Sequence, residues 1–289
     1  MPDSAAAARP GLLAVLVGDG RPLISLAGLG LIACGLFAFF VGLTGQFLPH
    51  DLAFLGTDSA AIWAVADSRL AYFMIHDRVS FGGAALGIGM LYLYFAAVPL
   101  KRGEGWAWWA VLISFAIGDL GFLLYLWRGY FDLWRGAASV VLQPLLIGGL
   151  ILCARNCRRL PGLRTVLTEN WPHPLRGRHE VGRLLLAATC CCLMLGGGVI
   201  ALCGMTAVFV PQDLEYLGLT AEELCGWNPR AIPLITHDRA GFGGAVASCG
   251  AAMLLAVLHD RPSPALWQTL WVVGGAGFGA GIGVHFPIG

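Results

Sequence analysis

Charged side chains are scarce in this chain. Only 12% of its 289 residues are Asp, Glu, Lys or Arg, against 57% hydrophobic. A soluble protein of this length exposes far more polar surface, so the lipid bilayer is the expected solvent and first partner. A net charge of +1 supplies no basic surface for nucleic acid. No basic stretch precedes the short apolar patch near the N-terminus, so a cleaved signal peptide is not expected and the first span is expected to act as an uncleaved insertion signal. A P-loop, a nucleotide-binding glycine fingerprint after a strand and a serine or cysteine nucleophile elbow are all missing; the glycines fall in apolar segments instead. Nine cysteines form no disulfide framework. Cys34, Cys190, Cys191, Cys192, Cys203 and Cys249 lie in apolar stretches, where cysteine acts as a small hydrophobe. Cys225 lies alone in an outer loop, and Cys153 and Cys157, at helical spacing, lack the second pair that a zinc site requires.

What is present is a set of long apolar runs. Crossing about 30 Å of hydrocarbon at about 1.5 Å per residue takes about 20 residues. Seven segments qualify: Leu23 to Leu43, Val79 to Leu100, Trp106 to Trp127, Ala137 to Ala154, Leu184 to Val210, Ala240 to Leu258 and Ala265 to Gly283. The expected fold class is an all-α polytopic helix bundle. With the N-terminus inside, twelve of the 18 Lys and Arg residues fall on the inner side, many of them between Arg155 and Arg183. That excess places the N-terminus in the cytoplasm. Anionic headgroups suffice as partners for the basic loop.

Two stretches about 160 residues apart say nearly the same thing. Phe47-Leu48-Pro49-His50-Asp51-Leu52 and Phe54-Leu55-Gly56 lead to His76-Asp77-Arg78 and Phe81-Gly82-Gly83-Ala84; Phe209-Val210-Pro211-Gln212-Asp213-Leu214 and Tyr216-Leu217-Gly218 lead to His237-Asp238-Arg239 and Phe242-Gly243-Gly244-Ala245. The chain divides into a cytoplasmic tail (1–22), a first copy with four spans (23–154), a basic linker (155–183) and a second copy with three (184–289). Because four is even, both copies enter the bilayer in the same sense, giving parallel repeats related by an axis along the membrane normal. Both motifs are then periplasmic. An eighth helix is expected but not found before Gly289, and a partner subunit or a second copy of the chain is expected to cover that flank.

The motif residues set the available chemistry. Consecutive helical positions differ by about 100°, so His76, Asp77 and Arg78 cannot converge on one atom, and a joint between elements is expected rather than a catalytic triad. Asp67 and Asn228-Pro229 are the expected helix starts. Charges at the edge of hydrocarbon require partners, so Asp51 is expected to staple Arg78, and Asp213 to staple Arg239. The histidines are left over. His76 and His237, with His50 and His285 on the same side, are candidate metal or haem ligands, although Gln212 replaces His50 in the second copy and no H-x-x-x-H spacing occurs. Within the third span, Asp119 is a candidate proton relay, its alternative being a hydrogen bond to Gln143, Thr44 or Ser114. Glycines four apart, at Gly83 and Gly87 and at Gly275, Gly279 and Gly283, are expected helix-packing faces, and helices are expected to cross at Gly82-Gly83 and Gly243-Gly244. Trp106, Trp108, Trp109, Trp127, Trp134, Trp171, Trp267 and Trp271 read as interfacial anchors.

The doubled F-[LV]-P-x-D-L and H-D-R-x-x-F-G-G pattern resembles that of an uncharacterised family of bacterial multi-pass membrane proteins. The resemblance implies a bacterial inner-membrane location and a second half that runs on into another helix; it implies no activity. Three functions remain open: binding or transport of a small polar or anionic ligand in an outer vestibule between the motifs, electron transfer on metal or haem, and a structural role in a larger complex. The first is the expectation here, since duplication about a membrane-normal axis makes a central site.

Overall fold

The computed structural model describes residues 11–126, 128–173 and 177–288. Helices carry the fold, and no strand occurs among the described residues. The first half contains α1 (Leu12–Val17), α2 (Arg21–Leu43), two short helices α3 (Pro49–Leu55) and α4 (Ser59–Trp63), and the long α5 (Arg69–Ala97), α6 (Gly105–Leu126) and α7 (Leu133–Asn156). After α8 (Leu163–Thr168) the second half repeats that order with α9 (Arg178–Met205), short α10 (Pro211–Leu217) and α11 (Ala221–Trp227), then α12 (Ala231–His259), α13 (Pro264–Gly283) and α14 (His285–Ile288).

Matching local signals set these boundaries. Proline opens both α3 and α10, where its missing N–H costs nothing. Gly56 and Gly218 close them in the left-handed conformation, at φ 66° and 64°. Asp132 caps α7 through the Trp134 and Arg135 amides, and Ser263 caps α13 through that of Leu266. The expected start at Asp67 is corrected: Ala66, Asp67 and Ser68 form a left-handed turn and the helix begins at Arg69. Asn228 ends α11, with α12 following Arg230.

Six helices, α2, α5, α6, α7, α9 and α12, are long and apolar enough to cross a membrane. The expected seventh span exists as α13, 20 residues long, but its glycines dilute its apolar character and it is not one of the six. The fifth span also shifts: α9 starts at Arg178, and the chain has left the helix before Val208, where φ is 65°. Trp127 lies outside the described residues.

The two helices that carry His-Asp-Arg form the centre. Their apolar windows are 67% buried in α5 and 89% in α12, against 28% or less for the other four. Helix α2 packs on α5 and α9 on α12, while α6 of the first half packs on α12 and α13 of the second half on α5. The halves are thereby interleaved. Doubled glycines permit it: a Cβ at Gly82 would meet the Gly35 carbonyl at 2.9 Å, and one at Gly243 the Gly197 carbonyl at 2.5 Å. Gly83 abuts Ala276 and Ala280 of α13, and Gly244 abuts Gly121 of α6. Gly275, Gly279 and Gly283 differ from expectation, because nothing lies within 4 Å of a Cβ placed there; Ala276 and Ala280 hold that contact instead. Trp106 is no lipid anchor either, being buried and stacked on His259. Helix α7 stands outside the central set and packs mainly on α2.

Above one end of the bundle the four short helices form a cap around a buried apolar cluster that includes Phe47, Leu55, Leu70, Phe209, Leu217 and Leu224. Gly243→Ala is expected to force α9 and α12 apart and destabilise the protein by about 1–3 kcal/mol, whereas Gly275→Ala, which meets nothing, gains helix propensity of up to about 1 kcal/mol. Thermal unfolding in detergent checks the contrast; equal shifts would reject the glycine contacts as the organising feature.

Candidate functional site

The His-Asp-Arg motifs begin eight residues into their helices at Arg69 and seven into α12 at Ala231. Counting about 20 residues back from Ala97 or His259 reaches Arg78 and Arg239, so both motifs lie where a hydrocarbon slab of about 30 Å gives way to its interface. Asp51, Asp77, Arg78, His237 and Asp238 are all buried.

There the motifs exchange partners. Arg78 Nε donates to Asp238 Oδ2 at 3.0 Å, and its Nη2 lies 2.9 Å from Asp51 Oδ2. Reciprocally, Arg239 Nη1 lies 2.7 Å from Asp213 Oδ2 and its Nε 3.6 Å from Asp77 Oδ2. Each arginine therefore ties its own cap helix to the aspartate of the opposite central helix. Each histidine turns Nδ1 to the aspartate beside it, at 3.0 Å for both His76–Asp77 and His237–Asp238. The cap is also laced across the halves, with Arg69 donating to the Tyr216 carbonyl and Arg230 to that of Phe54.

The doubled arrangement then diverges. Asp132 Oδ1 lies 3.2 Å from His50 Nε2, and its Oδ2 lies 3.3 Å from His237 Nε2 and 3.6 Å from Arg135 Nε. Tyr130 donates its hydroxyl to Asp51. Burial opposes ionisation of Asp132, yet hydrogen bonding from His237 and the charge of Arg135 outweigh it and hold the carboxyl well below the usual range. The Tyr130 hydroxyl is pushed up by burial and by the neighbouring Asp51. On the other side, the ring of His76 faces His285 at 4.9 Å between centroids. The four candidate histidines thus separate into two pairs, His50 with His237 around Asp132, and His76 with His285. Among the described residues no group of three or more His, Cys, Asp or Glu is placed to hold a metal ion.

Below the charges is a cavity of about 650 Å³, within the range of small-molecule sites. It lies between α2, α5, α6, α7 and α12, with Asp51, Arg78, Asp132, Arg135, His237 and Asp238 at the end nearest the cap. Asp119 and Gln143 line its side and hydrogen-bond to each other. Asp119 is 14 residues from the start of α6 and seven from its end, about one turn from the middle of the helix toward the cap. Tyr92, Ser114 and Ser248 form the floor, where Tyr92 donates to Ser114 at 3.2 Å and the two serine hydroxyls are 2.9 Å apart. The remaining wall is apolar.

Compared with protein-family models, curated proteins and solved structures, the chain matches none. The site is defined by its own residues, and several of these were not singled out in the sequence. Asp132 and Arg135 had a visible signal, a helix-capping Asp with Arg three residues on, at the outer start of a span. Tyr92 and Ser248 had none, since an isolated hydroxyl in an apolar helix reads as packing; Ser114 was a candidate partner for Asp119, but Gln143 holds that place and Ser114 bonds with Tyr92 and Ser248 instead.

Removing one member of a buried pair strands its partner's charge. Arg78→Leu is expected to cost about 3–5 kcal/mol, and a double-mutant cycle with Asp238→Leu to show coupling of about 0.5–3 kcal/mol; additive effects in detergent unfolding would exclude the crossed pair. For Asp132 the sign follows from its lowered folded-state pKa: its stabilisation is present above the unfolded carboxyl range, about pH 4, and is lost as pH falls through the folded value. Asp132→Asn should therefore flatten the acid limb of the stability profile below about pH 4. An unchanged limb would contradict the assignment.

Proposed function

We propose that the chain is a multi-pass protein of a bacterial inner membrane that binds, and in that capacity transports or presents, a small ligand in the cavity beneath its crossed motifs. In this reading the N-terminus is cytoplasmic, the cap is periplasmic and the two halves are parallel repeats about an axis along the membrane normal. The excess of inner arginines supports the orientation, and the matching order of α2 to α6 and α9 to α13 supports the repeat. The resemblance of the doubled sequence pattern to that of bacterial multi-pass proteins supports the location.

The carrying observation is the cavity: about 650 Å³ of space among α2, α5, α6, α7 and α12, open along part of its wall, with charges from both motifs at one end. Stapling alone requires the arginines and aspartates. It does not require an adjoining cavity of this size, which deprives the buried side chains along its wall of protein packing contacts. The original expectation of a vestibule open to the periplasm changes form, because the cap's apolar cluster lies over the motifs and the space lies on their membrane side. Asp119 and Gln143 supply a second polar station inside it.

Gly118 offers a clean test. A Cβ there makes only ordinary contact with Ser248, at 3.5 Å, so Gly118→Leu extends into the cavity without forcing the backbone. Native mass spectrometry of wild-type protein released from membranes is expected to show a bound small molecule at near one per chain, and the variant to lack it at an unchanged thermal midpoint. Bare protein in both spectra overturns the reading.

A further inference from the structure

We infer that the ligand is an amphiphile with an uncharged, hydrogen-bonding head and a single long apolar tail, which enters from the outer leaflet between α2 and α7. This rests on the reading of the cavity as a binding site and specifies what occupies it. The shape is the first reason. Arg78 at the charged end and Tyr92 at the floor are fourteen residues apart on α5, a depth of about 20 Å at about 1.5 Å per residue. A compact polar solute meets the charges but leaves that apolar length unfilled. A tail fills it.

Access is the second reason. From the cap side, the apolar cluster around Phe47, Leu55 and Phe209 covers the motifs. Helices α2 and α7 are closely fitted toward their cytoplasmic ends, where a Cβ at Gly20 would meet the Gly149 carbonyl at 2.5 Å and one at Gly149 would meet Ile24 at 2.8 Å. Toward the cap, Phe37 and Trp134 form the ring contact between them, 5.7 Å between centroids. Both line the cavity, as does Val141, yet they are 43%, 56% and 60% exposed on the bundle surface. Side chains that face both cavity and lipid mark a lateral portal, one that an apolar tail crosses without leaving hydrocarbon.

Charge supplies the third reason. At the charged end, Asp51, Asp132 and Asp238 face Arg78 and Arg135; both guanidiniums are paired with aspartates, while Arg78 keeps one buried nitrogen, Nη1, without a hydrogen-bond partner. His50 and His237 each contact two of the three carboxylates, and Asp119 adds a further carboxylate along the wall. A carboxylate head would add another negative charge where aspartates already outnumber the guanidiniums, and an ammonium head would compete with Arg78, Arg135 and the imidazoles for those aspartates. A hydroxyl or carbonyl head donates to or accepts from these groups and leaves the pairing intact.

The test uses wild-type protein in phosphatidylcholine vesicles and a photoactivatable long-chain monoacylglycerol bearing a diazirine in its chain, with insertion mapped by mass spectrometry. Insertion is expected to concentrate on the cavity wall at Cys34 and Leu142 over the lipid-facing Leu29 and Val140. Gly118→Leu, and independently Ala138→Phe should the first variant misfold, are expected to abolish the cavity insertion and leave the lipid-facing insertion unchanged. Fatty-acid and long-chain amine probes with the same diazirine are expected to insert there about tenfold less, the ratio set by about 1.4 kcal/mol. Uniform insertion over all four positions overturns the inference, as does stronger insertion by either charged probe. Cavity insertion by a tail-less, water-soluble glycerol diazirine overturns the tail while leaving the binding reading intact, and that reading fails separately if wild-type protein also carries no bound small molecule.

Discussion

The structure depends on the exchange of charge between the two central helices. Arg78 is held between Asp51 of its own cap and Asp238 of α12, and Arg239 between Asp213 and Asp77. At the edge of hydrocarbon an unpaired guanidinium or carboxylate is unfavourable by several kcal/mol, so each helix keeps its register only while the other does. Apolar packing cannot set that register by itself, because lipid chains are as apolar as the side chains they would replace. The ion pairs define where α5 and α12 meet, and the glycines define how closely. Gly82 and Gly83 follow Arg78 by about one turn, as Gly243 and Gly244 follow Arg239. Pairing and close approach are therefore imposed on the same short stretch of helix.

Much of this was legible in the sequence, and the part that was not has a physical cause. Length and hydrophobicity located α2, α5, α6, α7 and α12, since a membrane span is a property of a segment by itself. The Asp51–Arg78 and Asp213–Arg239 staples followed from requiring partners for charges near hydrocarbon. The partners across the halves did not follow, because Arg78 with Asp238 is a property of how two helices cross and is written in neither. The glycines show the same limit. Spacing identifies a small-residue face but not its occupant, so Gly83 was read correctly while Gly275, Gly279 and Gly283, with identical spacing, face open space. Helix α13 is long enough for the expected seventh span but is not among the six helices that are both long and apolar enough to cross a membrane.

The histidines show what a doubled motif conceals. His76 and His237 occupy the same motif position and make the same 3.0 Å contact with the adjoining aspartate, yet only His237 meets Asp132, the cap of α7, while His76 meets His285. Their shared role is local, orienting a carboxylate toward the opposite arginine. Any role in ligand binding belongs to the one whose second ring nitrogen faces the cavity's charged end.

That asymmetry sets the cavity where the halves differ. A duplicated framework supplies two equivalent staples and two equivalent glycine crossings, which together account for a stable joint. The cavity is lined by α2, α5, α6 and α7 from the first half but only α12 from the second, and its distinctive polar groups, Asp119, Asp132 and Gln143, come from α6 and α7. The second half carries glycine and alanine where α6 carries Asp119. A purely structural duplication gives no reason for one half alone to hold a carboxylate–amide pair beside a void in a membrane-spanning bundle. The matching contacts of the two motifs build the joint, and the residues without a counterpart are the ones that line the cavity.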